Sequence, residues 1–139
     1  MKLSTRARYG TRAMVELALA YPDRAVSVRQ MGQSQHLSVK YLERIMAGLK
    51  GAGLAKAVLG VHGGYTLARP PKSITLDDVL RALDGPIALA ECVEHPEACP
   101  MIDSCATRGT WVEISGAFSR ILEGTTLQDL VERSGRRGD

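Results

Sequence analysis

Aromatic residues are scarce in this chain: one Trp, one Phe and four Tyr among 139 residues, 4% of the total. A core must then be built from Leu, Val, Ile, Met and Ala, which suits helix packing and leaves little material for a large sandwich or barrel. Long apolar runs are missing as well. No stretch approaches the roughly 18 consecutive apolar residues of a membrane span, and the basic start through Lys2, Arg6, Arg8 and Arg12 holds no apolar signal-peptide core. The expectation is a cytoplasmic protein with no membrane contact. The marks of an enzyme are absent too. No nucleophile–base pairing, phosphate-binding loop or convergent carboxylate pair is visible, and the three histidines, His36, His62 and His95, fall in unrelated segments.

What is present is an uneven charge. The net value is only +3. Residues 1–85 carry 13 basic and 6 acidic side chains, a net +7, whereas residues 86–139 carry 5 and 9, a net −4. A basic part joined to an acidic one implies that the first faces a polyanion. The same arginines read equally well as a solvated helix surface until a fold places them.

Local signals give that fold. Ser4 is an N-cap, and Met14, Leu17, Ala18 and Tyr21 repeat at helical spacing, so a first helix runs to about Tyr21, where Pro22-Asp23 stops it. Arg6, Arg8 and Arg12 lie on its N-terminal, outward part. Ser27 and Gln30 make a capping box for a short second helix carrying Val28 and Met31 inward. After a turn at His36-Leu37, Ser38 caps a third helix to about Lys50 with a buried stripe of Leu42, Ile45, Met46 and Leu49. Two such helices and a short turn form a helix-turn-helix, or otherwise an ordinary helical hairpin. In the first case Ser38, Lys40, Tyr41, Glu43 and Arg44 offer the donors, acceptor and cation that base-edge reading requires.

The next segment favours the first case. Leu54–Leu59 and Tyr65–Ala68 have strand character around Gly60-Val61-His62-Gly63-Gly64. A hairpin just after the recognition helix is a wing, with Lys56, His62, Gly63 and Gly64 placed toward the nucleic acid. Thr75 and Asp78 then cap a helix over Leu76–Asp84. Past Gly85-Pro86, a loop from Ile87 to Asp103 leads to a long helix from about Cys105 to Glu123. Trp111, Ile114, Phe118, Ile121 and Thr125 repeat there at alternating spacings of three and four, a narrow seam suited to a partner's copy of the same helix. A last amphipathic stretch runs from Thr126 to Arg133. The expected architecture is mainly α with a small β-hairpin: a winged helix-turn-helix over 1–85, and a cysteine-bearing loop with a dimerisation helix over 86–139.

All three cysteines, Cys92, Cys99 and Cys105, fall within fourteen residues, spaced C-x6-C-x5-C. They sit among Glu91, Glu94, His95, Pro96, Glu97, Pro100 and Asp103, surroundings that do not suit buried core thiols. Clustered thiols in a reducing compartment point to metal or redox chemistry. The spacing lacks the close C-x2-C pairs of common zinc sites. Wider gaps let one loop wrap a larger object such as an iron–sulfur cluster, 2Fe–2S or 4Fe–4S. Zinc and a thiol switch are the other readings.

Taken in order, these motifs resemble the Rrf-type winged-helix transcription regulators, a family with IscR-like and NsrR-like iron–sulfur members. The likeness lies in Met1–Gly10, Ser38–Glu43, Gly51–Leu54, Gly63–Pro70, the three cysteines, Trp111 and Thr125–Leu130. It implies a homodimer, a roughly palindromic double-stranded DNA operator, and a cluster whose state sets operator affinity. Two departures concern the fourth cluster ligand. Arg108 stands where IscR-like members have a histidine, and Arg8 where NsrR-like members have a carboxylate; a guanidinium is no ligand. His95, Asp103, Glu91, a His36 from the other subunit or a small exogenous molecule could complete the set. A third departure is in the wing, where Leu59 replaces the arginine that IscR-like members carry before the glycine. The alternative function is a cluster-free regulator controlled by thiol oxidation or a protein partner.

Overall fold

The computed structural model describes residues 2–137. Helix α1 (Thr5–Ala20) starts where the sequence places its cap, with the Ala7 N–H donating to Ser4 Oγ at 2.9 Å. Its Ala7, Ala13, Met14, Leu17 and Ala18 are buried. Helix α2 (Val28–Gln35) opens with the complete Ser27/Gln30 capping box. It ends at His36, whose φ of 57° is left-handed and whose N–H returns to Gly32 O. Helix α3 (Val39–Gly51) is capped by Ser38, which accepts from the Tyr41 N–H at 3.2 Å. Leu42, Ile45, Met46 and Leu49 are its buried face, as the periodicity requires.

Strands β1 (Ala55–Val58) and β2 (Gly64–Leu67) pair antiparallel, Ala55 opposite Leu67 and Val58 opposite Gly64. Val26, ahead of α2, adds a bridge to Tyr65 through two backbone hydrogen bonds of 2.9 and 2.8 Å. That bridge pins the hairpin to the helical body. A short 3₁₀ turn (Pro71–Ser73) leads to α4 (Leu76–Asp84), opened by the Thr75/Asp78 capping box.

The acidic half differs in part from its sequence reading. The segment expected as a loop from Ile87 to Asp103 contains a single helical turn, α5 (Glu91–Glu94), and a 3₁₀ turn over Pro96–Ala98. The long helix α6 runs from Arg108 to Gly124, so Cys105 lies before it rather than within it. The cause is local: Thr107, at the N-cap position, makes no side-chain cap bond, and its hydroxyl sits 3.3 Å from Cys105 Sγ instead. Helix α7 (Leu127–Arg137) extends past the expected stop at Arg133. Thr126 and Asp129 start it by exchanging hydrogen bonds of 2.9 and 3.1 Å.

One apolar core joins α1, α2, α3, the hairpin, α4 and α7. Leu127 is fully buried in it, and the Leu127 N–H donates to Ile74 O at 2.9 Å. Each aliphatic side chain of this kind contributes about 1.5–3 kcal/mol by leaving water. No described helix is long and apolar enough to cross a membrane.

Candidate DNA interface and cysteine segment

At the start of α3, Ser38, Lys40, Glu43 and Arg44 are exposed, and Tyr41 is half-buried. Tyr41 packs edge-on against Tyr9 of α1, with centroids 6.3 Å apart and planes at 87°. Arg8 and Arg12 each hold their guanidinium 5.6 Å from the Tyr9 ring. The end of the recognition helix that would meet base edges is therefore braced by an aromatic contact, which fixes a ring without spending a polar group. Sequence periodicity did not reveal this pairing, because the two tyrosines lie on different helices. The Ser38 hydroxyl is engaged as a cap.

The remaining cations divide. Lys56 is exposed on β1, and His62 at the hairpin tip. Arg6 is held toward the protein, 3.4 Å from Asp84, which also accepts from Ser4 Oγ at 2.7 Å. Lys2, Arg8 and Arg12 line an apolar groove of about 940 Å³ together with Leu80, Phe118 and Ile121. Part of the seam residues of α6 thus shares one surface with the N-terminal cations. Trp111 and Ile114 are half-buried, while Ile121 is 65% exposed. The inward face of α6 includes Ser115, buried, whose hydroxyl accepts from the Leu89 N–H at 3.1 Å. A serine gave no signal of burial in the sequence.

Cys92, Cys99 and Cys105 are unbridged and half-buried. Two links tie their segment to α6. Arg108 donates from its guanidinium to Cys92 O at 3.4 Å, with its buried Nε unpartnered, and Thr107 engages Cys105 Sγ. The Cys105 thiol is held below its usual range, first by the Thr107 hydroxyl, then by the backbone N–H groups of Thr107 and Arg108, with the Arg108 charge adding to them. In type, three soft thiolates on one segment suit an iron–sulfur cluster. Among the described residues no three His, Cys, Asp or Glu side chains are gathered as a single metal ion would require. Of the suggested fourth ligands, His95 faces its own neighbours, Nδ1 lying 3.4 Å from Glu97, and Glu91 and Asp103 point to solvent. His36 sits at the α2–α3 turn.

The order of helices, hairpin and long final helices can be set against known proteins. The Rrf2 family, described as "Iron-dependent Transcriptional regulator", matches residues 3–133. The chain belongs to the Rrf2 family. It is similar to the protein rrf2 of Nitratidesulfovibrio vulgaris, 42% identical over 131 residues, covering 94% of this chain and 87% of that one. Among solved structures it resembles CymR, the global cysteine regulator of Bacillus subtilis, with a TM-score of 0.83 and 37% identity over 96% of this chain and 98% of that one. It also resembles the IscR of T. potens, with a TM-score of 0.79 and 32% identity, covering 96% and 88%. The fold is the winged helix of these Rrf2 regulators, and the chain is a transcription regulator of the DNA-binding class, not an enzyme.

Proposed function

We propose that this protein binds a roughly palindromic operator as a homodimer, and that the chemical state of Cys92, Cys99 and Cys105 sets its affinity. The observation that carries the DNA reading is the braced start of α3, where Lys40, Glu43 and Arg44 stand exposed beside the Tyr41–Tyr9 contact. Residues 1–85 form the reading part, with α3 in the major groove and half-sites about 34 Å apart. Lys2, Arg8, Arg12, Arg44 and Lys56 supply phosphate contacts, so binding weakens steeply with salt. Residues 86–139 carry the signal and the dimer helix. A second copy of α6 laid along the groove would cover Phe118 and Ile121, which otherwise leave apolar surface in water.

The signal reaches α6 through the chain's own links, Leu89 to Ser115 and Arg108 to Cys92. Any chemistry that repositions the cysteine segment pulls on the start of that helix. An iron–sulfur cluster held by the three thiolates is one form of the signal, supported by the cysteine spacing and the family's description. Such a group would supply sensitivity to redox state, nitric oxide or cluster supply. The second form is cluster-free oxidation of the thiols. It is favoured by Arg108, a side chain that cannot ligate a cluster, donating to the Cys92 carbonyl.

Absorption spectra with iron and acid-labile sulfide assays on protein purified without oxygen separate the two. Colour that disappears in Cys92→Ala, Cys99→Ala and Cys105→Ala, with the dimer intact, supports the cluster. A colourless protein that refuses reconstitution but loses free thiols under mild oxidant, with a change in operator affinity, supports the thiol form. If neither treatment moves DNA binding, the cysteines are not the sensor.

A further inference from the structure

Two aliphatic side chains stand almost wholly in water at one place in this fold. Leu59 is 93% and Val61 97% exposed, on either side of Gly60 at the tip of the β1–β2 hairpin. The tip is firmly held. The Gly63 N–H closes the turn onto Gly60 O at 3.0 Å. A Cβ on Gly63 would strike the Val58 carbonyl, and one on Gly64 would strike the Val26 carbonyl, so both positions demand glycine for close approach. Tyr65 then locks the base of the turn to Val26. A turn fixed in this way gains nothing from apolar side chains in the free protein, because neither of them leaves water.

The surroundings point to what they meet. Strand β1 follows α3 and packs on it, so the hairpin stands next to the recognition helix. Lys56 is exposed on the same hairpin, and residues 1–85 carry the net positive charge. A basic surface draws nucleic acid more than an apolar protein face. Proteins that enter the minor groove commonly insert aliphatic wedges between base steps, unstacking them and kinking the duplex by about 20–90°.

We propose that Leu59 and Val61 form an apolar wedge with which the wing enters the minor groove and bends the operator. The proposal rests on the DNA-binding reading above and adds how sequence is sensed outside the recognition helix. The wing carries no arginine at its tip, and beside His62 its exposed side chains are apolar, so it reads deformability in addition to any groove potential. It favours pyrimidine–purine steps, which unstack most easily. A symmetric dimer places two such wedges on its operator.

The test uses the full-length protein and duplexes that the wild type selects from a random-sequence pool. The selected sites are expected to show TA or CA steps at a fixed distance from each half-site, and end-to-end energy transfer should report a bend. The L59S/V61S double variant should melt at the wild-type temperature and bind the selected duplex roughly 10-fold more weakly. It should also lose the bend and the step preference. A double variant that binds and bends the duplex as the wild type does overturns the wedge while leaving DNA recognition intact, and the tip would then belong to a protein contact. A wild type that selects no sequence at all would remove the DNA reading itself. L59R/V61S gives a further check against L59S/V61S: affinity regained without bending is expected, and bending regained would rule out an apolar mechanism.

Discussion

The winged-helix body and the cysteine segment are held together by different physics. From α1 to α4 nearly every turn contributes a buried side chain, Met14, Leu17, Leu42, Ile45, Leu49 and Val79 among them. Between Asp84 and Ser115 no residue is buried. That stretch keeps its shape through a few polar links, the Leu89–Ser115 and Arg108–Cys92 hydrogen bonds foremost. A hydrophobic core tolerates little rearrangement, whereas a segment with no buried side chain, held by a few part-buried hydrogen bonds, opens at lower cost. The contrast suits the proposed regulator: one region would keep a constant reading head, and the other would take its geometry from whatever reacts with its cysteines.

Substitutions can break that contrast or sharpen it. The largest effect is expected in the body. Leu42→Ala should lower unfolding stability by about 2–5 kcal/mol, measured by urea denaturation, and should weaken DNA binding only through loss of folded protein. Ser115→Ala should cost about 1 kcal/mol in the same assay. Its sharper signature is limited proteolysis, with cleavage within residues 91–107 accelerating while α1 to α4 stay intact. Equal acceleration across the chain would show that the two regions open together.

Next in size is a reactivity effect confined to the segment. Thr107 holds the Cys105 thiol below its usual range, so the thiolate persists to lower pH than in a free cysteine. Thr107→Val should move the inflection of Cys105 alkylation against pH upward, followed peptide by peptide by mass spectrometry. The smallest effect belongs to α7. The Thr126 backbone N–H, then its hydroxyl, keep the Asp129 carboxyl below the usual carboxylate range. A depressed carboxylate stabilises the fold above the unfolded pKa, and that contribution is lost as pH falls through the folded one. Asp129→Asn should therefore melt slightly earlier than wild type near neutrality and converge with it below about pH 4.

Much of the body could be read from residues alone because its boundaries are local chemistry. Ser4, the Ser27/Gln30 pair, Ser38 and the Thr75/Asp78 pair each cap the helix they precede, within one turn of chain. Period and cap agreed, so α1 to α4 and the wing fell where expected. The start of α6 was misplaced by three residues because no local cap marks it, and the Thr107 hydroxyl prefers a sulfur. Contacts between distant residues left no trace in the sequence: Tyr9 with Tyr41, Ser4 and Arg6 with Asp84, and Arg108 with the Cys92 carbonyl. For the cysteines, spacing left cluster, zinc and thiol switch open, because how the thiols sit relative to one another depends on backbone geometry that spacing does not encode.

The return of α7 into the core has a consequence for protein engineering. Leu127 occupies the interior beside residues from the first half of the chain, and Thr126 bridges back to Thr75. The cysteine segment and α6 are therefore an insertion into the winged helix rather than an appendage on its end. A biosensor made by exchanging sensing modules between such regulators should be cut at Gly85 and again near Gly124, with α7 kept from the recipient. Cutting only once, and importing everything downstream, would swap a plug of the recipient's own core for a foreign one.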